Sequence, residues 1–135
     1  NSKWIMNGFI HTEDEINFHR PMIPKWTGML LEGRNLLGNP SGLSILNEYK
    51  IYTDESLNLL IDTDYYHRLR CKYGMPYIIE DILTANREHS NRMSSGGINY
   101  DMYIEHQEGG WLVNREEYQY LMNKHKNNRI YPDEN

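Results

Sequence analysis

Apolar residues crowd the first dozen positions of the chain. Over residues 3–12 (KWIMNGFIHT), Trp4, Ile5, Met6, Phe9 and Ile10 surround Asn7-Gly8 without helical spacing, which predicts a strand with a bend or a short hairpin. Residues 13–26 follow neither the strand nor the helix period and carry Pro21 and Pro24, so they read as a loop crossing the surface. Residues 28–38 are a short apolar piece broken by Glu32-Gly33-Arg34, and either type of element fits them. Asn39-Pro40-Ser41-Gly42 is a turn that positions a strand over Leu43-Ser44-Ile45-Leu46, and Asn47-Glu48 begins another turn.

The clearest helix is 62–73 (DTDYYHRLRCKY). Asp62 suits its N-cap, Tyr66, Leu69 and Tyr73 recur at helical spacing, basic side chains load the later turns, and Gly74 with Pro76 stops it. Tyr77-Ile78-Ile79 reads as a short strand. Residues 90–110, rich in Ser, Asn and Gly, are expected to form a mobile loop. A second helix is expected over 115–126, with Asn114 and Glu117 as a capping box and Tyr118, Leu121, Met122 and His125 on one face; the tail from 127 to 135 should fray. No internal repeat is visible. The pattern is that of one domain over 1–135, α+β or partial α/β, with a few strands packed on two main helices.

Composition narrows the functional classes. With 135 residues the chain is the size of a single domain, and three Trp, eleven Tyr and two Phe supply core material. The formal charge of −5 and the lack of a basic, aromatic-interleaved stripe speak against nucleic acid as a partner. A mean hydropathy of −0.80 leaves no segment for a membrane span. The single cysteine, Cys71, has no internal disulfide partner, which fits a reducing compartment and a cytoplasmic location.

Few residues stand out as chemistry. Asp62 and Asp64 lie two apart at a helix start and so project in different directions, which allows one to enter a cleft while the other serves the backbone. A carboxylate at that position is ionised near neutral pH, favoured further by the helix N-terminus, and is fit to take a proton from a hydroxyl. The run Glu13-Asp14-Glu15 beside His11 reads as a solvated acidic turn before it reads as a hard-metal site. His11, His19, His67, His106 and His125 lack zinc-type spacing, His67 reads as surface or packing, and Cys71 lacks the partner histidine that a nucleophile would need.

Five phrases in fixed order change the weight on Asp62. They are Asn39-Pro40-Ser41-Gly42-Leu43-Ser44-Ile45; Tyr52-Thr53-Asp54-Glu55-Ser56-Leu57; Ile61-Asp62-Thr63-Asp64-Tyr65-Tyr66-His67-Arg68-Leu69; Lys72-Tyr73-Gly74; and Asn86-Arg87-Glu88-His89 with Met93-Ser94. Together, over about residues 35–94, they resemble the acceptor-side, C-terminal half of family 2 glycosyltransferases of the GT-A fold.

That resemblance implies transfer of a sugar from a nucleotide-diphosphate donor to a hydroxyl acceptor with inversion, as part of a larger catalytic domain. It places the catalytic base on Asp62, an acceptor or capping contact on Asp64, a phosphate or substrate contact on Arg87, and a metal or diphosphate contact on His89. Where the family has an acid before the base, this chain has Ile61. The implied cofactor is a divalent cation, Mn²⁺ or Mg²⁺, bound mostly by a nucleotide-binding half with an Asp-x-Asp motif expected upstream of Asn1. Asp62-Thr63-Asp64 copies that motif in letters but opens a helix instead of ending a strand. Without the donor half the chain is expected to be inactive alone and to self-associate through an exposed sheet face. A non-catalytic carbohydrate-binding or interaction module of the same shape is the competing reading, and a small α+β protein in which all these groups are structural is the third.

Overall fold

Strand β1, Trp4–Thr12, is hydrogen-bonded along both edges and organises everything else in this computed structural model, which describes residues 2–49, 51–89, 100–107 and 109–129. On one edge β4, Tyr77–Arg87, runs parallel to it over its length. The other edge is shared by two antiparallel strands: β3, Leu43–Ile45, pairs with Trp4, Ile5 and Met6, while β2, Phe18–Met22, pairs with Phe9, His11 and Thr12. A parallel pair needs a crossover, and helix α1, Ile61–Tyr73, supplies it. Central strands of such sheets are covered on both faces, which is why Trp4 and the run Met6 to Phe9 are buried, with Ile5 half-buried between them.

The register of β1 against β4 slips on both sides of Gly8. β4 bends close over this point: a Cβ on Gly8 would lie 2.8 Å from the Asp81 carbonyl, so only glycine fits. Gly38 is constrained differently, by a φ of +92° and by the Phe9 ring, which would sit 2.6 Å from an added Cβ.

Two core clusters follow from the two faces of α1's surroundings. Trp4, Met6, Trp26, Leu30, Leu37, Tyr66 and Leu69 join α1 to the sheet. Leu31, Leu57, Leu60, Val113 and Leu121 join α2, Arg115–Lys124, and β6, Leu112–Asn114, to the 3-10 turn Leu30–Glu32. The architecture is α+β, as the sequence pattern implies. Among the described residues, no helix is long and apolar enough to cross a membrane.

Four expectations need correction. Residues 13–26 are not all loop, because β2 lies within them: Asp14 Oδ1 accepts from the backbone of Ile16 and Asn17 at 2.9 and 2.7 Å, turning the chain back on itself. Pro21 is tolerated in β2 because the register breaks between the Phe9 and His11 pairings. The strand at Tyr77 is much longer than three residues. Within the segment expected to be mobile, β5, Tyr103–Glu105, pairs with β6, and His106 pins the hairpin by stacking on Trp111 at 4.1 Å and donating to Glu32 at 3.0 Å; residues 90–99 and 108 lie outside the described residues. Finally, α2 stops at Lys124, before the expected 126, and of the tail only 127–129 are described, in a turn where Asn128 N–H donates to the His125 carbonyl.

Candidate functional site

Successive helical residues turn by about 100°, so Asp62 and Asp64 stand far round α1 from one another. Helix α1 begins at Ile61 with Leu60 at the N-cap and no side-chain cap, so Asp62 sits in the first turn and is not the cap that the sequence suggests. The cap comes from elsewhere. Asn114 does accept from the Glu117 N–H at 3.0 Å, but the Glu117 carboxylate leaves the expected capping box and instead accepts from the backbone N–H groups of Asn58, Leu59 and Leu60 at 2.7, 2.9 and 3.2 Å. An anion from α2 thereby serves the N-terminal end of α1, where backbone donors and the helix dipole favour it.

Freed from capping, Asp62 lines a cleft of about 340 Å³ with Pro40, Leu43, Ile51, Tyr52, Thr53, Ile61, Tyr65 and Tyr66. It is half-buried, and among the described residues its carboxylate has no hydrogen-bond or ion-pair partner. Burial raises its pKa, the reverse of the lowering expected from the helix N-terminus. Tyr66 feels the same surroundings: its phenol is pushed up by burial and then by the Asp62 charge. The Tyr66 hydroxyl donates to the Gly38 carbonyl at 3.0 Å and the Tyr65 hydroxyl to the Ile51 carbonyl at 2.9 Å, which fixes both rings of the cleft wall. A carboxylate in such a place can take a proton from a hydroxyl that enters the cleft.

Asp64 does something else. It is fully buried, with Oδ1 at 2.7 Å from His125 Nε2 and 3.0 Å from Lys124 Nζ, and Oδ2 accepting from Arg68 Nε at 2.8 Å. Burial alone would raise its pKa, but the hydrogen bonds from His125 and Lys124 and the Arg68 charge outweigh that and hold it below the usual carboxylate range. Lys124 also reaches Asp54 Oδ2 at 2.6 Å, where the Tyr120 hydroxyl donates as well at 2.7 Å. The acceptor contact expected of Asp64 is therefore corrected: its oxygens are spent on joining α1 to α2.

Arg87 and His89 sit at the far end of β4, both exposed. Arg87 Nε pairs with Glu15 at 3.2 Å, and Glu88 between them pairs with Arg20 and faces His11 and His19 at 3.4 and 3.6 Å. The half-buried Asn39–Asn86 amide pair, at 2.9 and 3.1 Å, ties this end of β4 to the turn whose Pro40 lines the cleft. As to the divalent cation, no group of three or more His, Cys, Asp or Glu among the described residues is arranged to hold a metal ion. His89, exposed beyond the end of β4, belongs to no such group among the described residues.

Sequence reasoning missed the cleft walls and the partners of Asp64. Ile51, Tyr52 and Thr53 lie just before the Asp54-Glu55-Ser56 turn, and their presence beside Asp62 follows from that turn folding the segment back on α1. The pattern puts His125 on one face with Tyr118, Leu121 and Met122, and only the contact with Asp64, 61 residues away, shows what it meets. No protein-family model, no curated protein and no solved structure matches this chain.

Proposed function

We propose that the chain is the acceptor-side part of an inverting glycosyltransferase of the GT-A type, and that Asp62 is the base that takes the proton from the acceptor hydroxyl. The observation that carries this is the Asp62 carboxylate: half-buried, unpaired among the described residues, and set in the wall of a cleft of about 340 Å³ walled by Tyr52, Tyr65 and Tyr66. Aromatic and aliphatic faces with a few polar atoms suit the mixed surface of a sugar ring. Partial desolvation raises the proton affinity of Asp62, which makes it a stronger base than a free aspartate at the same place. The hydroxyl oxygen, losing its proton to Asp62, attacks the anomeric carbon as the bond to the donor's diphosphate breaks on the opposite side, which inverts the centre. Donor binding is assigned to a separate nucleotide-binding half. Arg87, exposed at the end of β4 and paired with Glu15, has a guanidinium that complements phosphate, and contact with the donor diphosphate is assigned to it as part of this reading.

The test is turnover with nucleotide sugars in a polypeptide that joins this chain to a nucleotide-binding half. Asp62→Asn should cut kcat by ~10²–10⁴-fold while leaving KM for the acceptor nearly unchanged. If wild type and variant bind saccharide equally and neither turns over, the non-catalytic binding module is the correct reading. Ile61, which lines the same cleft in place of a second acid, favours that alternative.

A further inference from the structure

His67 and Cys71 stand one helical turn apart on α1, about 140° and 180° round the helix from Asp62. Cys71 Sγ lies 3.4 Å from His67 Nε2, and both face the carbonyl oxygen of Asn128, at 3.7 Å from the sulfur and 3.1 Å from the nitrogen. A tetrahedral zinc-class ion holds sulfur, nitrogen and oxygen at about 2.3, 2.05 and 2.1 Å, which spaces those ligands about 3.4–3.6 Å apart. The three atoms thus already form one face of a coordination tetrahedron, to within about 0.3 Å.

The surroundings keep that face in place. His67 is only 2 % exposed, and its nitrogen is aimed at the sulfur instead of into the core. Asn128 is fastened by His125, whose carbonyl accepts from Asn128 N–H at 3.1 Å and whose Nδ1 meets the Asn128 side-chain amide at 3.2 Å; His125 is itself held by Asp64. Such outer contacts orient ligands and fix their reach. Cys71 is exposed, so an ion has access from solvent and water can fill the fourth position.

We propose that Cys71 Sγ, His67 Nε2 and the Asn128 carbonyl form a binding site for a divalent ion of the zinc class, one that fastens α1 to the turn after α2. On binding, the Cys71 thiol gives up its proton to solvent, the His67 ring takes the tautomer with hydrogen on Nδ1, and sulfur and nitrogen lone pairs turn to the ion. Because the thiol must give up its proton to bind, uptake tightens with rising pH. The site is independent of the transferase reading, since it shares no residue with the cleft.

The test is titration of the reduced full chain with Co²⁺, a spectroscopic stand-in for Zn²⁺. The expected result is a sulfur-to-cobalt charge-transfer band saturating at one ion per chain, abolished by Zn²⁺ competition, absent in C71S and at least about tenfold weaker in H67Q. Zn²⁺ should also raise the unfolding temperature of wild type and not of C71S. Because Cys71 is exposed, C71S should keep the wild-type circular dichroism. If H67Q does not fold, the His67 ring resonances of wild type replace it, and they should shift on adding Zn²⁺. No charge-transfer band at saturating Co²⁺, equal affinity in H67Q, or unmoved His67 resonances would overturn the proposal.

Discussion

Asp62 and Asp64 share the first turn of α1 and are held in opposite states: Asp62 lines an open cleft with its pKa raised by burial, while Asp64 is sealed against His125 at 2.7 Å with its pKa lowered. The first is a carboxylate kept available for a proton. The second is a fastener between helices, and it is the cost of breaking it that keeps α1 oriented so that Asp62 meets the cleft.

Replacing them should therefore have opposite effects on stability. Asp64→Asn leaves Lys124 and Arg68 facing a neutral amide in the interior, and unfolding free energy should fall by roughly 3–5 kcal/mol, as when one partner of a buried ion pair is removed. Asp62→Asn removes a desolvated charge that has no partner among the described residues, so stability at pH 7 should stay within about 1 kcal/mol or rise. Urea denaturation of the two variants measures both.

Glu117 gives a second check on the junction between the helices. Its carboxylate accepts from three backbone N–H groups at the start of α1, so Glu117→Ala should cost about 2 kcal/mol and Glu117→Gln about half that. Hydrogen exchange should show the loss first at Asn58, Leu59 and Leu60.

Stability should fall on mild acidification because of His67. Its folded pKa of about 4 lies below the unfolded value of about 6.5, so the unfolded chain takes up the proton more readily. The contribution is complete above pH ~6.5 and is lost as the pH falls toward 4, amounting to on the order of 2–3 kcal/mol. Below that, Asp64, whose folded pKa is depressed, loses its own contribution as the pH drops through its folded value. The groups facing His67 are His125, Asp64, Arg70 and Cys71. In His67→Gln the loss of stability between pH 6.5 and 4 should be largely removed while the loss below pH 4 remains.

Much of this arrangement was readable in the residues, and the reasons for the misses are specific. β1, β3, α1 and the Asn114 cap of α2 follow from local pattern, turn residues and capping chemistry, all of which act within a few positions. β2 was hidden because Asp14 turns the chain by side-chain bonds that no periodicity reveals and because Pro21 argues against a strand. β4 was cut short because its exposed Ile82 and Leu83 and its slip at Gly8 break the alternation. The divergence of Asp62 and Asp64 was evident from helix geometry, but which of them faces the cleft depends on Lys124 and His125, about 60 residues away.

The outer edge of β4 pairs with no strand among the described residues, and Tyr77, Ile82 and Leu83 are exposed along it. Unpaired apolar edges invite pairing between copies. Sedimentation equilibrium should show concentration-dependent association, and Leu83→Lys should remove it; a strict monomer at high concentration would refute this expectation.

Carboxyl ¹³C NMR of the chain reads the two aspartates separately and tests the division of labour between them. Asp62 should titrate above the ordinary aspartate value and Asp64 below it, and a saccharide acceptor in excess should shift the Asp62 signal while leaving Asp64 unmoved. An Asp62 that titrates low and ignores saccharides, or an Asp64 that responds in its place, would contradict the assignment of Asp62 as the base.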